Sequence, residues 1–373
     1  MKTIDREESI KIKGLAMIFI VLHNFLHLIS NVRENEMSFD LDRLYIFFEA
    51  IQTIPSGIPT FSISFFGAYF VQIFIVLSAY GLTKKRMASP KLDFQKQAYP
   101  PIFKIYSLFL PVFVFHGIIY LAMMPAAESF QDEFISFGLN SLFFLVGIYN
   151  FSYDTLFGSP MSILSAGPWW FCFLIIQFYL LFPVLFLVVK KLDARWWSAV
   201  LVSYILIYAL LPMTELHGIP LFANAPGHLP EFLLGIALAL RPSIQLKGKH
   251  ACLGLIVFIL SMTNKWTFPL TFLSAAIVTL YFSRLFFSKI DQWALPSNIF
   301  LVIGNASMFM FITNAQIRNI TLRIFENAHP LMMLLGALLH LGLVFLVSIL
   351  YGRLYNRKIK GRMDALVVRL FPN

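Results

Sequence analysis

Ile12-Lys13-Gly14-Leu15-Ala16-Met17-Ile18-Phe19-Ile20-Val21-Leu22-His23-Asn24-Phe25 is an apolar run with a cation near its start and an imidazole ten positions later. Read as a helix rising about 1.5 Å per residue, it sets His23 roughly 15 Å from Lys13. A hydrocarbon core is about 30 Å thick, so the imidazole stands near the bilayer midplane. Ionisable side chains at that depth are costly and face a cavity or a partner. A titratable base at the midplane, on a helix anchored by cations at one end, points to chemistry inside the membrane.

Composition supports the membrane reading. The chain is 58% hydrophobic and 13% charged, with 41 phenylalanines and a mean hydropathy of +0.75, far from soluble averages. The fold expected is all-α and polytopic, one transmembrane domain over 1–373 with no separate soluble domain. Met1 to Lys11 is polar and no small-residue cleavage site follows the first apolar run, so no cleavable signal peptide is expected. Cys172 and Cys252 both fall in apolar segments, which argues against a disulfide framework or a zinc site built on cysteine.

Working outward, apolar runs fall at about 14–30, 59–82, 105–124, 134–151, 169–189, 196–213, 229–240, 251–264, 267–287, 298–320 and 330–351. The loop after 134–151 carries no basic residue, and the next helix ends on Lys190-Lys191. The run at 134–151 is therefore read as re-entrant or interfacial. That leaves about ten crossings with both termini cytoplasmic. In this topology all but five of the 29 lysines and arginines lie inside, the exceptions being Arg33, Arg43, Lys265, Arg318 and Arg323. The net charge of +10 is then a topology signal and implies no nucleic acid. The runs 229–240 and 251–264 are short for full spans.

Three constellations carry chemistry. His23 and His27 are four apart and share a helix face. They suit backbone hydrogen bonding within a bundle, a general base for an alcohol, or a metal pair, although no third carboxylate or cysteine is placed to complete a metal site. The second is Ser78-Ala79-Tyr80-Gly81, a small-residue patch suited to close helix packing, followed by Lys84-Lys85-Arg86. The third is Lys96 and Lys104-Ile105-Tyr106 behind Pro100-Pro101. Cations at this density attract anionic lipid or hold a phosphorylated cofactor. The polar stretch Arg33-Glu34-Asn35-Glu36, with Asp40 to Arg43, reads as a solvated loop or an acceptor contact.

Five stretches, in order, resemble the integral-membrane acyltransferase 3 family of polysaccharide and peptidoglycan O-acyltransferases. The Lys13…His23 helix is similar to the family's arginine, ten residues, then histidine. Phe74-Ile75-Val76-Leu77-Ser78-Ala79-Tyr80 is similar to its Phe-Phe-Val-Leu-Ser-Gly-Tyr, and Lys104-Ile105-Tyr106-Ser107-Leu108 to its Arg-Ile-Tyr-Pro-Leu. Trp170 through Gln177-Phe178-Tyr179-Leu180-Leu181-Phe182-Pro183 is nearly its Trp…Gln-Phe-Tyr-Leu-Leu-Phe-Pro, and Gly304-Asn305-Ala306-Ser307 through Asn314 resembles its Gly-Lys-x-Ser…His. Pro230 to Gly235 is a weaker match. The chain departs from the pattern at several points: lysine at 13 for arginine, nine intervening residues before His23 so that Asn24 takes the strict position, Gln72 for aspartate, Ile175-Ile176 for a Glu-Glu pair, and Asn314 for the late histidine. It resembles a divergent member.

The resemblance implies an O-acyltransferase, most often an O-acetyltransferase, of a bacterial inner membrane. It moves an acyl group from cytoplasmic acyl-CoA (acetyl-CoA) to a hydroxyl of a cell-surface glycan or lipid-linked sugar, without a metal. The implied catalytic residues are His23 as general base, Lys13 and Ser78. The donor would meet Lys84, Lys85, Arg86, Lys96, Lys104 and Tyr106, and the acceptor His27, Asn24, Gln72, Trp170 and Asn314. Two other classes remain open at this point, a transporter or flippase for a polysaccharide precursor and a catalytically inactive relative.

Overall fold

The structure is a computed structural model and describes residues 3–89, 94–123, 149–152 and 169–370, with positions 138, 142, 155–156 and 159–160. Thirteen helices occupy these residues: α1 Arg6–Ile29, α2 Leu41–Thr53, α3 Ile58–Phe66, α4 Val71–Ala88, α5 Phe94–Met123, α6 Trp170–Leu192, α7 Trp197–Leu216, α8 Leu229–Leu240, α9 Gly248–Ser261, α10 Leu270–Ile290, α11 Ala294–Phe325, α12 Pro330–Lys358 and α13 Lys360–Leu370. Extended pairing among the described residues is confined to Thr155–Leu156 against Ser159–Pro160. The expected re-entrant run 134–151 falls mostly outside the described residues.

Among the described residues, eight helical spans are long and apolar enough to cross a membrane: Arg6–Ile29, Pro55–Ala88, Gln97–Phe115, Trp170–Arg195, Trp197–Leu216, Leu270–Ile290, Ser297–Phe325 and Pro330–Lys358. The two runs that read as short in sequence are short here too, as Ala225–Leu240 and Gly248–Ser261. The protein is an all-α polytopic membrane protein.

Lipid tails are as apolar as leucine, so close packing and buried hydrogen bonds hold such a bundle together. The closest approach joins α1 to α11. A Cβ on Gly14 would lie 2.2 Å from the Phe300 carbonyl oxygen, and one on Gly304 would lie 1.9 Å from that of Ile10. The two backbones touch, and only glycine at both positions allows it. A similar contact sets Gly235 of α8 against the Val76 carbonyl and Ala79 of α4. Phe178 of α6 stacks on Phe232 of α8 with ring centroids 4.1 Å apart. Buried hydroxyls add cross-links, Thr60 donating to the Pro330 carbonyl at 2.7 Å and Ser107 pairing with Tyr355 at 2.7 Å.

The stretch from Arg33 to Arg43 differs from a solvated loop. Asn31 takes the left-handed conformation at φ 57°, which asparagine tolerates, and reverses the chain just after α1. Val32, Asn35 and Glu36 are buried beneath the reversal. The Val32 carbonyl accepts from the Ser64 hydroxyl at 2.6 Å, and the Tyr69 hydroxyl donates to the Asn35 carbonyl at 2.9 Å. The segment turns inward because its backbone acceptors meet hydroxyls of α3 and of the turn before α4. It then enters α2, which exposes Tyr45, Ile46 and Phe48, an aromatic surface suited to the membrane interface.

Arg318 also differs from expectation. It sits within α11, 6% exposed, with Nη1 donating to the Asn24 carbonyl at 3.4 Å.

Candidate functional site

His23 is 2% exposed, and one nitrogen has a defined partner. Nδ1 lies 2.8 Å from the Ser64 carbonyl oxygen. A carbonyl only accepts, so Nδ1 carries the proton and the neutral ring presents Nε2 as a lone pair. Gly67 makes this possible: a Cβ there would lie 2.6 Å from His23 Cβ. Asn24, at the position a strict spacing favours, instead offers its backbone carbonyl to Arg318.

Nε2 of His23 faces Glu34, with Oε1 at 3.8 Å. The other carboxylate oxygen lies 3.2 Å from His27 Nδ1, and the two imidazoles stand edge to face at 4.6 Å. Reversal at Asn31 thus folds Glu34 back over the last turns of α1. Burial pushes the Glu34 carboxyl up, and the positive charge that His23 and His27 carry when protonated more than offsets it, holding it below the usual carboxylate range. Glu36 moves the other way: burial and the charge of Glu34 raise it well above the usual value. The sequence showed no third ligand for the histidine pair, but the fold supplies one. Among the described residues, His23, His27 and Glu34 are the group of three potential metal ligands, their donor atoms within 4.8 Å of one another.

A cavity of about 610 Å³ opens over this cluster. His27, Glu34, Arg33 and Arg43 line one side, and Glu215, Lys265 and Phe268 the other. A second cavity, of about 730 Å³, lies toward the other end of α1. Lys13, Lys85, Lys104 and Lys360 give it a basic wall, with Asp364 as an acidic member. Its polar lining includes Ser78, Tyr179, Asn305, Ser307 and Asn356, and Phe74, Phe171 and Phe311 add an aromatic wall. Helix α1 passes from one cavity to the other: Lys13 and Met17 line the basic one, His27 lines the opposite one, and His23 lies between.

The sequence candidates therefore divide. Lys13, Ser78, Lys85 and Lys104 come together in the basic cavity, and His27 lines the other. Lys84 turns away, its Nζ 5.5 Å from the Tyr80 ring; Arg86 lies outside the lining as well. Tyr106 is half-buried against the core. The side chain of Lys96 falls outside the described residues. Gln72, Trp170 and Asn314 are buried and line neither cavity. Trp170 stacks near His228 at 6.1 Å, and Asn314 meets His340 Nε2 at 2.8 Å.

Residues 10–353, nearly the whole chain, match the family described as an acyltransferase domain. The chain belongs to the acyltransferase 3 family. No curated protein and no solved structure matches it. Membership makes the chain a membrane acyltransferase and favours that class over the transporter reading.

Sequence reasoning missed four site residues. Glu34 belongs to a stretch that reads as a solvated loop or an acceptor contact, and nothing local marked it as a partner of the two histidines. Lys360 counted only toward topology, although it lies on α13 at the mouth of the basic cavity. Asn305 and Ser307 lay within a motif already singled out and face that cavity because Gly304 presses α11 onto α1.

Proposed function

We propose that this acyltransferase moves a short acyl group from acyl-CoA, most simply acetyl-CoA, to a hydroxyl of a cell-surface glycan or its lipid-linked precursor. The observation that carries the proposal is the arrangement along α1, with a basic cavity at one end, a mixed polar cavity at the other and His23 between them. The basic cavity is the donor side. Lys13, Lys85, Lys104 and Lys360 meet the phosphates of coenzyme A as point charges, and the thin pantetheine arm runs inward past Ser78 and Met17. Met17 and His23 are about 9 Å apart along the helix axis, a span that the arm covers.

The acceptor arrives in the opposite cavity. His23 Nε2 takes the hydroxyl proton as the oxygen attacks the thioester carbonyl, forming the new C–O bond. The C–S bond breaks, and the proton passes from the imidazolium to the departing thiolate. The Ser64 carbonyl holds the tautomer that leaves Nε2 free. Glu34, whose Oε1 lies 3.8 Å from the same nitrogen, stabilises the positive charge of the imidazolium as it forms. Basic residues cluster around the donor cavity, so this side is the cytoplasmic one under the positive-inside rule. Both termini are then cytoplasmic; the assignment to a bacterial inner membrane rests on the family resemblance and not on the charge distribution.

The test supplies membranes carrying wild type or His23→Ala with radiolabelled acetyl-CoA and a lipid-linked glycan extract. Wild type should label glycan, and the variant at equal abundance should label it at least ~100-fold less. Equal labelling would remove His23 from the mechanism. Donor binding without labelling across a panel of acyl groups and acceptors would mark an inactive relative.

A further inference from the structure

The His23–His27–Glu34 cluster does not depend on an acyl group for its geometry, and it has an unresolved electrostatic demand. With the proton on Nδ1 facing Ser64, Nε2 of the neutral ring points a lone pair at a carboxylate oxygen 3.8 Å away. Two electron-rich atoms facing each other in a buried setting call for a positive charge between them.

We propose that His23 Nε2, His27 Nδ1 and the Glu34 carboxylate form a binding site for a divalent transition metal of the zinc class. Spacing supports this. Donors at about 2.0–2.1 Å around a tetrahedral ion stand roughly 3.3 Å from one another; Glu34 oxygens lie 3.2 Å from His27 Nδ1 and 3.8 Å from His23 Nε2, and the donors of all three residues lie within 4.8 Å of one another. Histidines four apart on a helix direct both imidazoles at one ion, the geometry used by helical zinc pairs. The carboxylate from the reversed chain supplies the third ligand, and the adjoining cavity leaves a fourth position open to water. The surrounding shell is already built: Nδ1 of His23 donates to a backbone carbonyl, the orientation that metal-bound imidazoles take. Two nitrogen donors favour zinc over magnesium or calcium, which prefer all-oxygen sites.

The consequence for catalysis rests on the proposed function. A metal on Nε2 occupies the lone pair that accepts the acceptor's proton, so zinc and acyl transfer exclude each other. Zinc on the acceptor side then silences the enzyme reversibly.

The binding test needs no turnover. Zinc chloride is titrated calorimetrically into the detergent-solubilised full chain at pH 7.5, with His27→Ala and Glu34→Gln alongside. One zinc per chain is expected, with affinity at least ~100-fold weaker in each variant. Zinc-edge X-ray absorption of loaded wild type should show two imidazoles in the ligand shell. Absence of binding up to millimolar zinc, unchanged affinity in both variants, or a shell with fewer than two imidazoles would overturn the site. The absorption measurement decides even where a variant fails to fold. Separately, zinc should inhibit labelling by wild type, and His27→Ala should shift the inhibition to higher zinc. Failure of the labelling reaction itself would sink the transferase reading and leave the binding result standing.

Discussion

Replacing Glu34 by glutamine keeps the shape of the side chain and removes its charge 3.8 Å from His23 Nε2. Two unit charges at that distance interact by about 4 kcal/mol at an effective dielectric of ~20. Transfer of a proton to His23 is about half complete in a transition state for general-base attack, so the carboxylate contributes about 2 kcal/mol there. At 1.36 kcal/mol per decade, the turnover number should fall roughly 30-fold. Glu34 lies outside the basic cavity, so the acetyl-CoA KM should stay within about twofold. Initial rates of label transfer across a grid of donor and acceptor concentrations separate the two effects. A fall below ~3-fold would refute the electrostatic role. A loss seen mainly in the donor KM would place Glu34 on the wrong side of the chemistry.

Three further outcomes are expected. Gly304→Ala, whose Cβ would lie 1.9 Å from the Ile10 carbonyl oxygen, should cost about 3 kcal/mol and lower the detergent-phase melting temperature, whereas Gly342→Ala, with open space around its Cβ, should leave it unchanged. Lys85→Ala and Lys360→Ala should each raise the acetyl-CoA KM by about 3–10-fold, less so at high salt; Lys84→Ala, outside the cavity lining, should change it less than ~2-fold. Glu36 has a folded pKa well above 4.5, so its contribution to stability is full below the unfolded value and is lost as pH rises through the folded one. Glu36→Gln should therefore raise the melting temperature relative to wild type at pH 8 and lose that advantage near pH 4.

Much of the fold was legible because lipid imposes simple rules. Hydropathy alone located each long span, and even the weakness of the 229–240 and 251–264 runs reappeared as short helices. The basic wall of one cavity was partly legible too, since Lys13, Lys85 and Lys104 sat in motifs dense in cations. Glu34 was illegible for a physical reason. Arg33-Glu34-Asn35-Glu36 has the composition of an exposed loop, and its burial depends on the left-handed turn at Asn31 and on hydroxyls from Ser64 and Tyr69, distant in sequence. Lys360 was hidden differently. A lysine near a helix end looks the same whether it faces water, lipid phosphate or a ligand, and only the placement of α13 beside α5 separates these cases.

The glycine crossing of α1 and α11 joins two elements that both line the basic cavity. Helices locked carbonyl to glycine lack the side-chain cushion that permits sliding, so the pair behaves as a stator. That stator carries Lys13 and His23 on one member and Asn305 and Ser307 on the other. The opposite wall of the basic cavity is built from other elements, α5, the end of α12 and α13, which contribute Lys104, Asn356 and Lys360. The distance from Lys13 to His23 is thus set within one helix that is itself held, whatever the opposite wall does.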